Sequence, residues 1–216
     1  MLVLGHRGDL EKAINLLEQD TLRMGALVED SCLLAFNSIF RRDLASAKKI
    51  KLQDKQIDIF YKQIELACID LIARQSPIER DLRLLSAFMQ LVRDLERIGD
   101  YAQNLAEIGI KLFPHPTPPY LDRLELMFNR CRAMLALSLG ALAGLDGQLG
   151  SQIKIKDDVV DQDYRTLYDL LAHHAPPTGS PEPLLLMVLA IHHLERVGDH
   201  ATNIGQRVAY IATGKR

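Results

Sequence analysis

The chain has 216 residues, 48% of them hydrophobic and 25% charged, with a net charge of −2. This is ordinary soluble globular composition, enough for one or two sizeable cores, and its acids and bases are interspersed, which argues against a nucleic-acid partner. The three cysteines, Cys32, Cys68 and Cys131, are far apart and odd in number, which argues against a disulfide frame or a CxxC metal knot and for reduced thiols in a cytosolic protein.

The opening MLVLGHRGD has too short an apolar run for a signal peptide. Residues 9–42 read as a long helix with a break near Gly25. Residues 48–74 follow, with Ile50, Ile57, Phe60, Ile64, Ala67 and Leu71 on one helical face. A third helix is expected in 76–112. Its start, Ser76-Pro77-Ile78-Glu79, is written as a capping box with proline at the first helical position. Its apolar stripe runs through Leu85, Phe88, Val92, Leu95, Ala102 and Leu105, with Gly99 filling one turn. PHPTPP, residues 114–119, cannot be helix interior and reads as a domain linker.

Beyond the linker the order repeats. Gly144-Leu145-Asp146-Gly147, then Gly150-Ser151, separates two further helices. His173 and His174 end the second of them, where positive charge suits the dipole. Ser180-Pro181-Glu182 opens the last helix and Gly214 closes it. The longest apolar runs, 134–145 and 184–191, fall short of the roughly 20 residues that span a bilayer, so no direct membrane insertion is expected. Each half thus reads helix, helix, Ser-Pro, helix. The expected fold is all-α, an elongated molecule of two similar antiparallel three-helix bundles in tandem, over 1–113 and 119–216, produced by internal duplication.

The duplication is plainest in LERIGDYAQNL, 95–105, and LERVGDHATNI, 194–204. Each sets a glycine inside a helical pattern, at a cost of about 1 kcal/mol against alanine. Each also sets two acids four apart, Glu96 and Asp100, then Glu195 and Asp199; like charges at that spacing cost roughly 0.2–0.5 kcal/mol. The middle helix of each half carries a second acidic pair at the same spacing, Asp54 with Asp58 and Asp157 with Asp161. If the second and third helices of each bundle pack side by side, four carboxylates converge in each half. All-oxygen clusters suit hard cations, and carboxylates also serve Mn and Fe. Gly99 and Gly198 fall in the apolar seam, where a missing side chain lets helices close up. The competing reading is a solvated ion-pair row, since Arg93, Arg97 and Arg196 flank the acids. His192 or His200 could add a ligand to the second set, and Glu29 could reach the first from the opening helix. There is no phosphate-binding glycine loop and no nucleophile motif. Nor does any glutamate precede a histidine at the E-x-x-H spacing of the di-iron bundles.

These motifs resemble the PhoU family of phosphate-transport and phosphate-signalling regulators. LERIGDYAQN and LERVGDHATN are similar to its duplicated E/D-x-x-x-D motif, and MGALVED (24–30), DKQID (54–58), RDLRLL (80–85) and VDQDY (160–164) match in order. The second half departs in having PEPLLL where the first has RDLR, so the halves are expected to differ in partner contacts. The resemblance implies a fold of two three-helix bundles. It implies metal held by Asp54, Asp58, Glu96 and Asp100, and by Asp157, Asp161, Glu195 and Asp199, sometimes as a multinuclear cluster. The metal is left open among Fe, Mn, Mg and Zn. It also implies a non-enzymatic cytoplasmic protein, a homodimer, peripheral to the inner membrane through its partners. Those partners would be the ATPase side of the phosphate ABC transporter and the histidine kinase of the phosphate regulon, with negative regulation when phosphate is plentiful. The alternatives are a carboxylate-bridged metalloenzyme on a helical bundle and a metal-free helical scaffold.

Overall fold

The computed structural model describes residues 3–174 and 179–214, with side chains from Gly8 onward. The outermost residues of the two expected halves, 1–2 and 215–216, lie outside the described residues. Six helices follow in chain order: α1 (Val3–Phe40), α2 (Leu44–Gln75), α3 (Glu79–Leu112), α4 (Leu121–Gly144), α5 (Gly147–Ala172) and α6 (Glu182–Thr213). No strand occurs among the described residues. The all-α expectation and the two similar bundles are both met: α1, α2 and α3 pack on one another, and so do α4, α5 and α6.

The duplication extends to the helix ends. Asp43 caps α2, its Oδ1 accepting from the Ala45 and Ser46 amides at 2.9 and 3.3 Å. Asp146 caps α5 in the same way, accepting from Gln148 and Leu149 at 3.0 Å each. Each carboxylate satisfies amides that the first turn leaves unpaired.

Several boundaries differ from the sequence expectation, each for a physical reason. α1 runs unbroken through Gly25, because the bare glycine face receives the Leu139 side chain of α4. Gly150 and Ser151 lie inside α5, which the Asp146 cap starts three residues earlier. Ser76 does not cap α3. It ends α2 in the left-handed region at φ 45°, its amide donating to Ile72 O, and α3 begins without a side-chain cap after Ile78. The second Ser-Pro site behaves as expected, with Ser180 Oγ accepting from the Glu182 amide at 3.2 Å. Gly214 closes α6 at φ 72°.

The bundles are not strung end to end. α3 lies along α6 and α1 touches α4, so a single apolar core runs through both halves. α2, α3, α6 and α5 follow one another across the molecule, with α1 behind the first pair and α4 behind the second. On the α1–α4 side Phe36 and Phe40 present their rings edge-on to Phe128 at 5.6 and 5.8 Å, a favourable aromatic geometry.

α3 and α6 run antiparallel, and their contacts come in reciprocal pairs. Tyr101 stacks near His193 with ring centres 5.6 Å apart. His200, which the repeat aligns with Tyr101, bonds through Nδ1 to Asp94 Oδ1 at 2.8 Å; Asp94 aligns with His193.

α4 alone among the described helices is long and apolar enough to cross a membrane by length and composition. This differs from the reading by uninterrupted apolar runs, because Arg130 and Arg132 interrupt the run while the mean hydropathy of the stretch stays high. Its apolar face, with Leu124, Met127, Phe128, Met134 and Leu135 fully buried, is spent on the core. The three cysteines are buried free thiols. Burial pushes Cys32 and Cys68 up to about 12 and raises Cys131 well above its usual value. Thiols held this far from the thiolate are inert packing groups.

Candidate functional site

The eight acids singled out in the sequence fall on two equivalent helix pairs. Asp54 and Asp58 lie on α2 against Glu96 and Asp100 on α3; Asp157 and Asp161 lie on α5 against Glu195 and Asp199 on α6. The 3.6-residue period places each pair on one face. The glycine of each motif brings the opposing helix close. A Cβ on Gly99 would stand 3.1 Å from Ile57 Cδ1, and one on Gly198 would stand 3.2 Å from Asp157 Oδ1. The interior glycine thus lets the opposing side chain sit a few tenths of an ångström closer than a Cβ would allow, set against its helix cost.

Each set of four shares one electrostatic field. Burial raises the Asp54 carboxyl above its usual range, and Asp58 and Asp100 raise it further. Glu96 is raised by burial and by Asp100, with Asp58 and Asp54 adding to it against the pull of Arg97. Asp100 is raised by burial and Asp58, again opposed by Arg97. In the second half Glu195 is raised by burial, Asp199 and Asp161, and Asp199 by burial, Asp157 and Asp161. Carboxylates that repel one another in partial burial favour a proton or a cation.

The cations now at hand are side chains. Arg97 spans its row, with Nη1 donating to Asp100 Oδ2 at 3.2 Å and Nε 3.5 Å from Glu96 Oε2. Arg196 Nη1 donates to Asp199 Oδ2 at 2.7 Å. Lys154 Nζ donates to Asp157 Oδ2 at 2.8 Å. Among the described residues no three His, Cys, Asp or Glu side chains are gathered closely enough to hold a metal ion as placed. The rows therefore face each other, but as placed their carboxylates do not converge as the sequence expectation had them.

One atom tests whether a cation suits the site. Asp157 is 2% exposed, and its Oδ1 is buried with no hydrogen-bond partner. An unpaired buried carboxylate oxygen is costly, and here it points at the Gly198 face, where Val160 and Met134 also approach, and its charge is felt by Asp199. An all-oxygen donor set with one lone pair unspent fits a hard cation.

The histidines and Glu29 do not join these sets. His200 is engaged with Asp94 of the first half. His192 is exposed, and it opposes the rise of Glu195 more than Asp161 adds to it, without a hydrogen bond to any row acid among the described residues. Glu29 is exposed on α1, where its charge adds slightly to the rise of the Cys32 thiol rather than to the acidic rows. Sequence reasoning passed over Lys154, whose spacing of three before Asp157 was the available signal. It also passed over the α3–α6 seam, for which a single strand of sequence offers none.

The PhoU domain family model matches this chain twice, over residues 21–109 and 124–208. A phosphate-specific transport system accessory protein PhoU homolog from Synechocystis sp. is 50% identical over 97% of this chain and 94% of its own length. The crystal structure of PhoU from Pseudomonas aeruginosa superposes with a TM-score of 0.90 at 30% identity, covering 95% of this chain and 99% of that one. That of the phosphate transport system regulatory protein PhoU from Streptococcus pneumoniae gives 0.84 at 28% identity, covering 95% and 98%.

Proposed function

Because this chain belongs to the PhoU family, we propose that it is a metal-binding regulator of phosphate uptake and phosphate-starvation signalling. Its relatives are named as accessory or regulatory proteins of phosphate transport, and the chain is not an enzyme. It acts through protein contacts with the ATPase side of the phosphate ABC transporter and with a histidine kinase. It silences the starvation response when phosphate is plentiful, as a homodimer in the cytoplasm at the inner membrane.

The observation that carries the metal reading is the unpaired Asp157 Oδ1 at the floor of a duplicated carboxylate row. Asp157, Asp161, Glu195 and Asp199 would hold one ion or cluster; Asp54, Asp58, Glu96 and Asp100 would hold its counterpart. A bound Fe, Mn, Mg or Zn ion supplies the positive charge that relieves the repulsion within each row. The chain's own part is to keep α2 on α3 and α5 on α6, and to carry Arg97, Arg196 and Lys154 as partners that can leave.

Elemental analysis of protein purified without chelator, beside Glu96→Gln/Asp100→Asn and Glu195→Gln/Asp199→Asn combined, tests this. The expected result is metal in the native protein, its loss in the variant, and starvation genes expressed in high phosphate. Metal-free protein that takes up no Mn, Fe or Zn, with regulation intact in the variant, would favour a second reading. In that reading the rows are closed by their own ion pairs, as the Arg97, Arg196 and Lys154 contacts allow, and the molecule is a metal-free scaffold.

A further inference from the structure

An open groove of about 480 Å³ lies on the α3–α6 seam, away from α2 and α5. Four guanidinium groups line it, Arg93 and Arg97 from α3 and Arg196 and Arg207 from α6. Its single carboxylate is Asp94, which His200 Nδ1 meets at 2.8 Å and Asn203 Nδ2 at 3.4 Å. Arg93 and Arg207 make no ion pair or hydrogen bond among the described residues. In a chain of net charge −2, this is a local concentration of positive charge only half matched: Arg97 and Arg196 have carboxylates at their backs, in Asp100 and Asp199, and Arg93 and Arg207 have none. A groove of one sign between low-dielectric walls focuses its field on an incoming ion of the other sign.

The shape of the donors selects among anions. The guanidinium fork matches the oxygens of phosphate two at a time. Two forks suffice for one tetrahedral phosphate, so four placed along both walls correspond to two linked phosphates. The rings of Tyr101 and His200 stack at 5.9 Å on the seam, and both residues line the groove beside Arg196.

We propose that the α3–α6 groove binds a small anion carrying at least two linked phosphates, inorganic diphosphate or a nucleoside polyphosphate, through Arg93, Arg97, Arg196 and Arg207. This site borders the acidic rows, with which it shares Arg97 and Arg196; Arg93 and Arg207 belong to the groove alone, and the site needs no metal.

Isothermal titration of the full chain in low salt with chelator present tests it, using diphosphate, ATP and orthophosphate as titrants. Diphosphate or ATP is expected to bind, with orthophosphate weaker by about tenfold or more, a difference of ~1.4 kcal/mol. ATP the tighter would identify a nucleotide, and diphosphate equal or tighter the inorganic anion; both support the site. Arg93→Gln/Arg207→Gln is expected to lose about tenfold in affinity for either, with its melting curve unchanged. Should the pair fail to fold, Arg93→Gln alone, at an exposed position, is expected to lose about threefold. No binding of diphosphate or ATP, binding only after metal is restored, orthophosphate bound as tightly as either, or an affinity indifferent to these arginines would overturn the proposal. The Arg93 and Arg207 variants leave the ion pairs of the acidic rows in place, so their failure is distinguishable from failure of metal uptake, which elemental analysis reads by itself.

Discussion

The two acidic rows repeat the same residue types on different footings. In the first, Asp54 is half-buried and the lysine that the repeat aligns with Lys154, Lys51, turns away to Glu107 at 3.3 Å. In the second, Asp157 is buried and Lys154 holds it directly. The helices beneath differ too. Gly150 and Gly205 place the α5 and α6 backbones in contact, so that a Cβ on Gly205 would stand 2.6 Å from Gly150 O. The aligned positions of the first half are Ala47 and Ala106, both buried. A duplicated motif thus preserves its charges while each copy tunes depth through the residue size one turn or two along the helix. The deeper row carries the unpaired oxygen, and it is expected to bind cations the more tightly.

The largest break in this comparison comes from the glycine contact. Gly205→Leu should destabilise the protein by about 3 kcal/mol or more, since the obstacle is backbone and cannot rotate away. The aligned Ala106→Gly should cost only about 1 kcal/mol. Urea unfolding of both variants measures the gap; equal losses would mean that the halves pack alike.

A second, smaller break separates the lysines. Lys154→Met leaves Asp157 buried without a cation and should cost about 1–3 kcal/mol in metal-free protein. Lys51→Met removes only a half-exposed pair and should change stability by less than about 1 kcal/mol. Added divalent metal should recover stability in Lys154→Met, and melting temperatures with and without metal read this directly.

The smallest effect sharpens what the rows share. Asp54, Glu96, Asp100, Glu195 and Asp199 all have folded carboxyls raised above their ordinary values, chiefly by burial and then by one another. Their protonation favours the folded state, so the stability they allow is present at low pH and lost as pH rises through the raised values. Asp43 runs the other way: Ser46 and the capped amides hold it low, and its contribution is lost only as pH falls further. Metal-free protein should therefore melt slightly higher in mildly acidic buffer than at neutral pH, and bound metal should flatten that slope. A melting temperature that falls steadily on mild acidification would contradict the shared field.

The fold was largely legible because helical periodicity and the repeat point the same way at every level. Leu85, Phe88, Val92 and Leu95 are all fully buried, as a 3.6-residue stripe requires. The misreadings have two causes: Gly25 turned on a partner far off in the chain, and the helix ends turned on local caps that the apolar pattern does not mark. Gly25 looked like a break because nothing near it announces Leu139. Ser76-Pro77 looked like a cap because the left-handed turn at Ser76 is set by how α2 ends. Asp43 and Asp146 were overlooked because the apolar pattern starts only after their caps. At the site, spacing along one helix placed all eight acids on facing pairs. The same spacing put Arg97 and Arg196 beside them, as the competing ion-pair reading had it, and only Lys154, three residues before Asp157, was passed over. Asp94 and His200 are 106 residues apart, and periodicity carries no information at that range.

The reciprocal contacts of α3 and α6 have a consequence for how such a molecule arises. Tyr101 against His193 and His200 against Asp94 are one pair of positions used twice, which is the signature of an isologous interface between two copies of a subunit. The seam has the geometry of a symmetric dimer whose protomers have been fused, with 113–120 as the tether that replaces diffusion by a high effective concentration. In a true homodimer the residues at such positions must match themselves. Fusion removes that constraint, and a carboxylate in one copy can then face an imidazole in the other.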